Sequence, residues 1–550
     1  MKKRYNFKTK HTKLLSAMLL CVAVFFIWTL SVGAEDFPHA NASQFTVSGA
    51  FSDNMILQQN EPVTIWGTST HEGGIIHARI ADSLGYGVVK DGKWEITLSA
   101  RSASPQTFTI ELWGGDETER VNFENVQFGD VWWVIGQSNI EYTLNNLPNW
   151  PALRETIDGT HNVSALYLNK NDITNTKIPL EDIPNRERKW KHLTKYSAQN
   201  LSALGTLTAM ELTALTGNQI PTGFVSLGFS GRDLLAFMPD SLTGNRFSAS
   251  KKSELYNNFI APLMKQKIRG IIWYQGEANA AAPYEYADAV YDFITYLREN
   301  KAQQNRDFPF YITELSPCFS APDTNANWQF IDFGMVRAVS GSLPSRLKNT
   351  YICVSSDTWS DTTYANNLHP YNKEQLAKRL ALMIVSKEYA LTTPQGLFAP
   401  TFKKASYLAE DKTAVRIEFD VPMSSITTAE GQSLRGFVLM DKHSIQIEDY
   451  DIQISSENSI DIQADIPIFG VAYNCRSGDT HDVTLTLESA EGVPAAAFYT
   501  VLTKFEPVMQ FGALSPRTKR LFYLACAAML IFIGAGLWWF LRKRKKSKNQ

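Results

Sequence analysis

Residues 130–139 constrain the fold most strongly, because an uninterrupted apolar run ends there at a glycine and is followed by Ser138. The run at residues 131–135 has the length and composition of a strand buried inside a parallel sheet. Proteins with such sheets carry their chemistry in the loops at the carboxyl ends of the strands. Ser138 is therefore a candidate nucleophile, although a serine after a strand is most often only a turn or helix-cap residue.

Two later segments strengthen this interpretation. A second apolar run breaks at Gly276 into polar residues, and a third segment carries His369 just before a predicted helix at residues 373–385. Asn372 and Gln375 have the spacing of a capping box at the start of that helix. A lone histidine in a loop is usually a surface residue. A serine and a histidine that are far apart in sequence can nevertheless meet at one edge of a sheet.

Three blocks in this order resemble the sialate O-acetylesterase family of the SGNH hydrolase superfamily. They are residues 136–139 (GQSN), 273–279 (WYQGEAN) and 368–370 (LHP). Residues 51–67 and 91–94 also resemble the N-terminal β-domain of that family, so the resemblance covers roughly residues 45–505. It implies a cofactor-independent serine esterase that removes O-acetyl groups from sialic acid or a similar glycan.

The resemblance assigns roles to particular residues. Ser138 is the nucleophile and His369 is the general base, since a serine hydroxyl attacks only when a base takes its proton. The backbone N–H groups of Ser138 and Gly231, with a side-chain amide from residues 275–279, form the oxyanion hole. The residues implied for oxyanion or substrate binding are Gly231, Gln275, Gly276, Glu277 and Asn279. For Gln275 and Glu277, a buried hydrogen-bonding bracket that positions the loop is an equal alternative.

The chain departs from the family pattern just before the histidine. Relatives carry an aspartate there, whereas this chain has Asn366 and Asn367. An amide can hold the imidazole tautomer, but it cannot stabilise an imidazolium by charge. Asp357 and Asp361 lie in the same segment, and either could supply the missing carboxylate or be a solvated loop acid.

The departure keeps two further functions open. A catalytically weak or inactive carbohydrate-binding protein on the esterase fold is one alternative, because fold does not guarantee activity. An acetylxylan or cell-wall glycan deacetylase is the other, because it uses the same chemistry. The sequence offers no motif that separates these acetylated substrates.

The alternation of apolar and polar residues predicts three folded units. Residues 126–392 are expected to form an SGNH-type three-layer α/β/α domain with a parallel sheet. An N-terminal β-sandwich at residues 45–125 and a C-terminal β-domain at residues 395–507 flank it. Strands are predicted at 131–135, 224–227, 271–274, 310–315, 351–354, 414–419 and 483–487, and helices at 204–215, 254–266 and 284–299.

The charge is segregated along the chain. The formal net charge of −2 combines 53 basic with 55 acidic residues, but fifteen of the basic ones lie in residues 1–13 and 517–550, where there are no acids. The remainder therefore carries 38 basic and 55 acidic residues, a balance of −17. No basic surface is expected on the folded body, which argues against a nucleic-acid partner. The histidines and cysteines show no metal-ligand spacing.

The two basic tails flank apolar segments. Residues 1–34 are predicted to be a signal peptide or an uncleaved anchor. Residues 521–541 are uncharged and long enough for a transmembrane helix, and a basic cytoplasmic tail follows at residues 542–550. Because positive flanks remain on the cytoplasmic side, the sequence predicts a cell-membrane protein with an extracytoplasmic body.

Overall fold

The computed structural model describes residues 45–115, 119–157, 159, 161–244, 246, 251–316, 327–358, 368–391, 398–420, 427–428, 434–475 and 487–502. Within those ranges, no helix has both the length and the apolar character that crossing a membrane requires. The predicted N-terminal segment at 1–34, the transmembrane helix at 521–541 and the basic tail all lie outside the described residues.

The N-terminal part of the chain is built from strands. They are β1 Phe45–Val47, β2 Ile56–Gln58, β3 Val63–Ser69, β4 Ile75–Ile80, β5 Ser83–Val88, β6 Lys93–Leu98, β7 Ser104–Trp113 and β8 Arg120–Gly136. One antiparallel sheet has the order β1-β3-β6, and β5, β4, β7 and β8 pair side by side in another. Every second residue of β6 is buried, as expected for a sheet with one face in a core.

Strand β8 joins the N-terminal strands to the central sheet. Its first half pairs antiparallel with β7, and its second half forms the middle of a parallel sheet. The sequence predicted a domain boundary at residues 125 and 126, but β8 runs through that point without a break. The predicted strand at 131–135 is therefore the carboxyl half of a longer element. The loop that carries Ser138 therefore follows a strand that pairs both with the N-terminal strand β7 and with strands of the central sheet.

The central sheet arranges the loop segments that carry the three sequence blocks along one edge. Its further strands are β9 Val163–Tyr167, β10 Trp190–His192, β11 Thr222–Gly228, β12 Gly270–Tyr274, β13 Phe310–Thr313 and β14 Thr350–Cys353. The order is β10-β9-β11-β8-β12-β13-β14, and all pairs are parallel except β9 with β10. Because β8 and β12 are neighbours, the blocks that follow them are adjacent. At Gly136 an added Cβ would lie 2.0 Å from the Tyr274 carbonyl oxygen, so glycine permits this close approach.

Helices cover the central sheet. They are α1 Ser138–Glu141, α2 Trp150–Leu153, α3 Ala203–Leu215, α4 Asp240–Thr243, α5 Pro283–Asn300, α6 Asn327–Gly341 and α7 Lys373–Glu388. Helix α3 packs against α7, and α5 packs against α6. The helices predicted at 204–215, 284–299 and 373–385 are confirmed as α3, α5 and α7. The strands predicted at 224–227, 271–274, 310–315 and 351–354 are confirmed as β11, β12, β13 and β14, with shifts of one or two residues at some ends.

The predicted α-helix at residues 254–266 is wrong in type. The chain forms a π-helical turn, Tyr256–Ile260, followed by a 3-10 turn, Ala261–Leu263. The side-chain amide of Asn258 donates to the Glu254 carbonyl at 2.8 Å and so occupies the acceptor of a regular helical bond. Pro262 then removes a backbone donor.

The C-terminal strands form a separate core. They are β15 Phe402–Tyr407, β16 Ala414–Phe419, β17 Thr427–Thr428, β18 Phe437–Met440, β19 Gln446–Ile447, β20 Tyr450–Ser456, β21 Ser459–Ala464, β22 Gly470–Tyr473, β23 Leu487–Glu488 and β24 Phe498–Val501. Sheets β15-β16-β21-β20 and β19-β18-β22-β24 enclose it. The strand predicted at 414–419 is confirmed as β16, and most of the one predicted at 483–487 lies outside the described residues.

This C-terminal unit contacts the central domain. Strand β24 packs on α6, and buried Arg337 of α6 donates to Asn474 Oδ1 at 2.7 Å. Glu314, which follows β13, accepts from the Ala497 backbone N–H at 2.8 Å. The other carboxylate oxygen of Glu314 accepts from the N–H of Ser355 at 3.4 Å, after β14. The C-terminal unit therefore braces two of the loops that leave the sheet on the side of Ser138.

Candidate active site

The structure brings Ser138 and His369 into direct contact. Ser138 Oγ lies 2.7 Å from His369 Nε2, although the two residues are 231 positions apart in sequence. Ser138 is the first residue of the short helix α1, directly after β8, and His369 lies just before α7. The predicted helix start is confirmed, since Asn372 Oδ1 accepts from the Gln375 N–H at 3.4 Å. The arrangement can transfer a proton from the serine hydroxyl to the imidazole.

Residues 275–279 are hydrogen-bonded to Gln137, the residue that precedes Ser138. Gln137 Oε1 accepts from Gln275 Nε2 and from the Ala278 N–H, both at 3.2 Å. Gln275 Nε2 also donates to Asn279 Oδ1 at 2.7 Å. These bonds fit the bracket role that the sequence left open for Gln275 beside substrate contact. Gly276 supports the turn with a φ of 152°, and an added Cβ would lie 2.9 Å from Val336 Cγ1.

Asn279 has one side-chain polar group without a hydrogen-bond partner among the described residues. Its Oδ1 accepts from Gln275 Nε2 and from the Leu234 N–H, so two donors fix the orientation of the amide. Its buried Nδ2 has no hydrogen-bond partner among the described residues. A buried donor without a partner is costly unless something accepts from it. Within residues 275–279, Asn279 is thus the side chain best suited to donate to an oxyanion.

Gly231 lies in the exposed loop after β11. It has a φ of 68°, and nothing lies within 4 Å of the position that a Cβ would take. The preceding residue, Ser230, donates its backbone N–H to Glu141 Oε2 at 2.8 Å. Glu141 in turn pairs with Lys170 at 3.2 Å. This connection ties the Gly231 loop to α1 and hence to Ser138, and leaves open space over the glycine.

A buried polar chain lies next to Ser138. Asn139 Nδ2 donates to Glu277 Oε1 at 2.6 Å and to the Leu368 carbonyl at 3.0 Å, while Asn139 Oδ1 accepts from Lys373 Nζ at 2.6 Å. Glu277 keeps some exposed surface, but its carboxylate oxygen Oε2 is inaccessible to solvent. Burial raises the pKa of Glu277, against the effects of Asn139 and Lys373. Burial likewise lowers the pKa of Lys373, against the effect of Glu277.

The pKa of His369 is lowered, first by burial and then by the nearby charge of Lys373. Both effects disfavour the imidazolium. A neutral imidazole is the form that accepts a proton from a serine hydroxyl, and Nε2 can accept only when Nδ1 carries the ring proton. The environment of His369 therefore favours the form that a general base requires.

Asp357 binds helix α7. Its carboxylate accepts from both terminal nitrogens of Arg379 at 2.8 Å and from Gln375 Nε2 at 3.1 Å. Within the described part of the chain, no hydrogen bond joins Asp357 to His369. Asp361, Asn366 and Asn367 lie outside the described residues.

No sequence pattern distinguishes Lys373 or Arg379 as a site residue. Both occupy the first turns of a helix, where a basic residue usually faces solvent. Lys373 is instead fully buried. Its Nζ lies over the rings of Tyr142 and Tyr274, at 5.5 and 5.2 Å from their centroids. Only the position of Lys373 four residues after His369 in sequence could have indicated a connection with the site.

Comparison with known proteins identifies the central domain. Residues 128–385 match the family described as carbohydrate esterase, sialic acid-specific acetylesterase. The predicted resemblance to the sialate O-acetylesterase family is confirmed. The human sialate O-acetylesterase is 27% identical over 309 residues, which cover 50% of this chain and 57% of the human protein. The rat enzyme is 24% identical over 400 residues, which cover 60% of this chain and 72% of the rat protein.

A solved structure extends the likeness beyond the sialate O-acetylesterase match. A carbohydrate acetylesterase from Xanthomonas citri superposes with a TM-score of 0.68 at 23% identity, over 83% of this chain and 99% of that protein. At this identity the likeness concerns the fold alone. It covers more of the chain than the central domain, so the flanking β-units belong to a shared architecture.

Proposed function

We propose that the protein is a serine carbohydrate esterase that removes O-acetyl groups from sialic acid or a similar glycan. The observation that carries the proposal is the 2.7 Å contact between Ser138 Oγ and His369 Nε2 at the edge of the parallel sheet. The family match of the central domain supports the ester-hydrolase chemistry. The names of the human and rat relatives support an acetylated sialic acid as the first substrate to test.

The proposed reaction has two halves. Ser138 Oγ attacks the acetyl carbonyl carbon while its proton moves to His369 Nε2, and the tetrahedral intermediate then expels the sugar oxygen, which takes that proton. The acetyl group is left on Ser138. In the second half His369 takes a proton from water while the water oxygen attacks the acetyl carbon. The bond from that carbon to Ser138 Oγ then breaks, Oγ takes the proton back from His369, and acetic acid leaves and ionises to acetate.

The oxyanion of each intermediate needs fixed donors. We assign the backbone N–H groups of Ser138 and Gly231 and the side-chain Nδ2 of Asn279 to this role. The orientation of Asn279 is fixed by two donors to its oxygen, and its Nδ2 is free of partners among the described residues. A fixed donor of this kind typically contributes about a hundredfold or more to the rate.

A carbohydrate-binding protein without significant turnover is the second candidate. Asn366 and Asn367 favour it, because they stand where relatives carry the aspartate that supports the histidine. The two functions make opposite predictions for acetate release.

Acetate release from a panel of substrates tests the proposed function. We expect the purified body, residues 45–502, to hydrolyse p-nitrophenyl acetate and at least one O-acetylated glycan among acetylated sialic acids, acetylated xylan and cell-wall glycan. Free acetate is measured enzymatically, and non-acetylated glycans serve as blanks. Saturable glycan binding with no acetate release from any substrate would instead support the binding protein.

We further propose that the body lies outside the cytoplasmic membrane, anchored by residues 521–541. The support is the uncharged length of that segment and the basic run after it, which resists translocation. Protease added to intact spheroplasts is expected to digest the body and to leave an epitope on residues 542–550 uncut. Digestion of the epitope with protection of the body would contradict this topology.

A further inference from the structure

The side-chain amide of Asn139 joins the loop of Ser138 to the loop of His369. Asn139 follows Ser138, and Leu368 precedes His369 in the chain. The hydrogen bond from Asn139 Nδ2 to the Leu368 carbonyl, at 3.0 Å, therefore links the immediate neighbours of the two reacting groups. Neither the Ser138 hydroxyl nor the His369 imidazole takes part in this link. It fixes the separation and orientation of the loops that hold Ser138 and His369.

The amide is held from both sides. Lys373 Nζ, which can only donate, bonds to Asn139 Oδ1 at 2.6 Å, and Glu277 Oε1 accepts from Asn139 Nδ2 at 2.6 Å. The two partners determine which end of the amide faces Leu368. Lys373 has no exposed surface, and its ammonium group lies over the rings of Tyr142 and Tyr274.

An apolar residue in place of Lys373 would remove the cost of burying a charge. Buried ion pairs often contribute no more stability than well-packed apolar side chains of similar size. The presence of a lysine and a glutamate on either side of Asn139 is therefore poorly explained by stability alone. A requirement for one fixed arrangement of the two catalytic loops explains it better.

We propose that Lys373 is a positioning residue of the esterase, which fixes Asn139 and, through Asn139, the loop of His369. This inference rests on the proposed function, because it takes Ser138 and His369 as nucleophile and base. Lys373 acts through Asn139 and through its charge, and it touches neither the reacting serine nor the imidazole by a hydrogen bond.

Because Lys373 is charged, its proposed role affects the pKa of His369, which packing alone would not explain. The charged groups of the described residues near the two loops include Lys373, Glu277, Glu141 and Glu374. Glu141 is paired with Lys170, and Glu374 accepts from Asn149. Burial and Lys373 both lower the pKa of His369. Removing the lysine charge should raise that pKa, so the acid limb of kcat/KM should move to higher pH.

The first test compares Lys373→Met with Lys378→Met. Both changes remove a lysine charge from α7, but Lys378 is exposed. Histidine labelled with ¹³C at Cε1 reports the titration of His369 by NMR without any turnover, and a His369→Asn variant assigns the signal. We expect the pKa of His369 to rise in Lys373→Met and to stay at the wild-type value in Lys378→Met. An unchanged pKa in folded Lys373→Met would overturn the electrostatic part of the proposal.

The second test uses Asn139→Asp, which keeps the shape and the acceptor for Lys373 but loses the Nδ2 donor to both Leu368 and Glu277. We expect kcat to fall about 10- to 100-fold with KM within about threefold of wild type, because small displacements of reacting groups are costly. Circular dichroism checks the fold. An unchanged kcat in a folded Asn139→Asp protein would overturn the positioning part.

If the Lys373→Met protein does not fold, the proposal can still be tested on the wild-type protein. The wild-type titration then remains, and a pKa for His369 at or above about 6.5, its ordinary value, would contradict the inference. Failure of the proposed function looks different. A wild-type protein that hydrolyses no acetyl ester, but whose His369 pKa still rises in Lys373→Met, would refute the esterase and retain the electrostatic link between Lys373 and His369.

Discussion

Replacing Ser138 with alanine is expected to lower kcat for p-nitrophenyl acetate by at least about 10³-fold, because removing a nucleophile leaves only the contributions of binding and oxyanion donors. The hydroxyl lies 2.7 Å from His369 Nε2, and alanine removes the group that must attack the ester. The release of p-nitrophenol under steady-state conditions measures the effect.

Ser226→Ala is the matched control. Ser226 lies on β11, beside β8 in the sheet, and its buried hydroxyl has no partner among the described residues. We expect its removal to leave kcat and KM close to wild type. Wild-type turnover by Ser138→Ala would show that the serine is not the nucleophile, whatever the family of the domain.

The contact between Ser138 and His369 could be anticipated from the sequence because it depends on local signals. An apolar run that ends at glycine predicts a strand end, and a capping pattern after His369 predicts a helix start. In a parallel sheet, the loops after neighbouring strands share one edge. These rules allow both loops to lie at one edge, and the resemblance to the sialate O-acetylesterase family implied that Ser138 and His369 are paired there.

The role of Lys373 could not be anticipated in the same way. A lysine in the first turn of a helix is usually exposed, and the local sequence gives no reason to bury it. The burial comes from Tyr142 and Tyr274, which belong to two other segments of the chain. Tertiary packing of this kind has no signature at any one position.

The sequence did not anticipate the continuity of β8 across residues 125 and 126, and the helix that it predicted at 254–266 is wrong in type. The boundary at residues 125 and 126 followed a change in composition, but β8 passes from one sheet into the next without a turn. The helix predicted at 254–266 followed apolar periodicity, but the amide of Asn258 competes for a helical carbonyl. In each case, the hydrogen bonds of the folded chain differ from those that the sequence pattern suggests.

The sequence left open which carboxylate, if any, supports the imidazole of His369. Asp357 has a structural role, because its carboxylate forms a bidentate pair with Arg379. This pair joins the segment after β14 to α7. A carboxylate engaged in this way is poorly placed to serve the imidazole as well. Of the two aspartates considered from the sequence, Asp361 is therefore the better candidate for a supporting role.

Asp361→Asn is accordingly expected to lower kcat by about 10²- to 10⁴-fold with a normal fold, because an imidazole that loses its carboxylate loses most of its catalytic value. Asp357→Asn is the matched comparison. It should change kcat by less than about threefold, but it should lower the free energy of unfolding by about 1–3 kcal/mol, since it weakens charged hydrogen bonds to Arg379. Steady-state kinetics and urea unfolding measure the two effects separately. Small and equal kinetic effects at both positions would indicate a Ser-His dyad, and an aspartate introduced at Asn367 would then be expected to raise the rate.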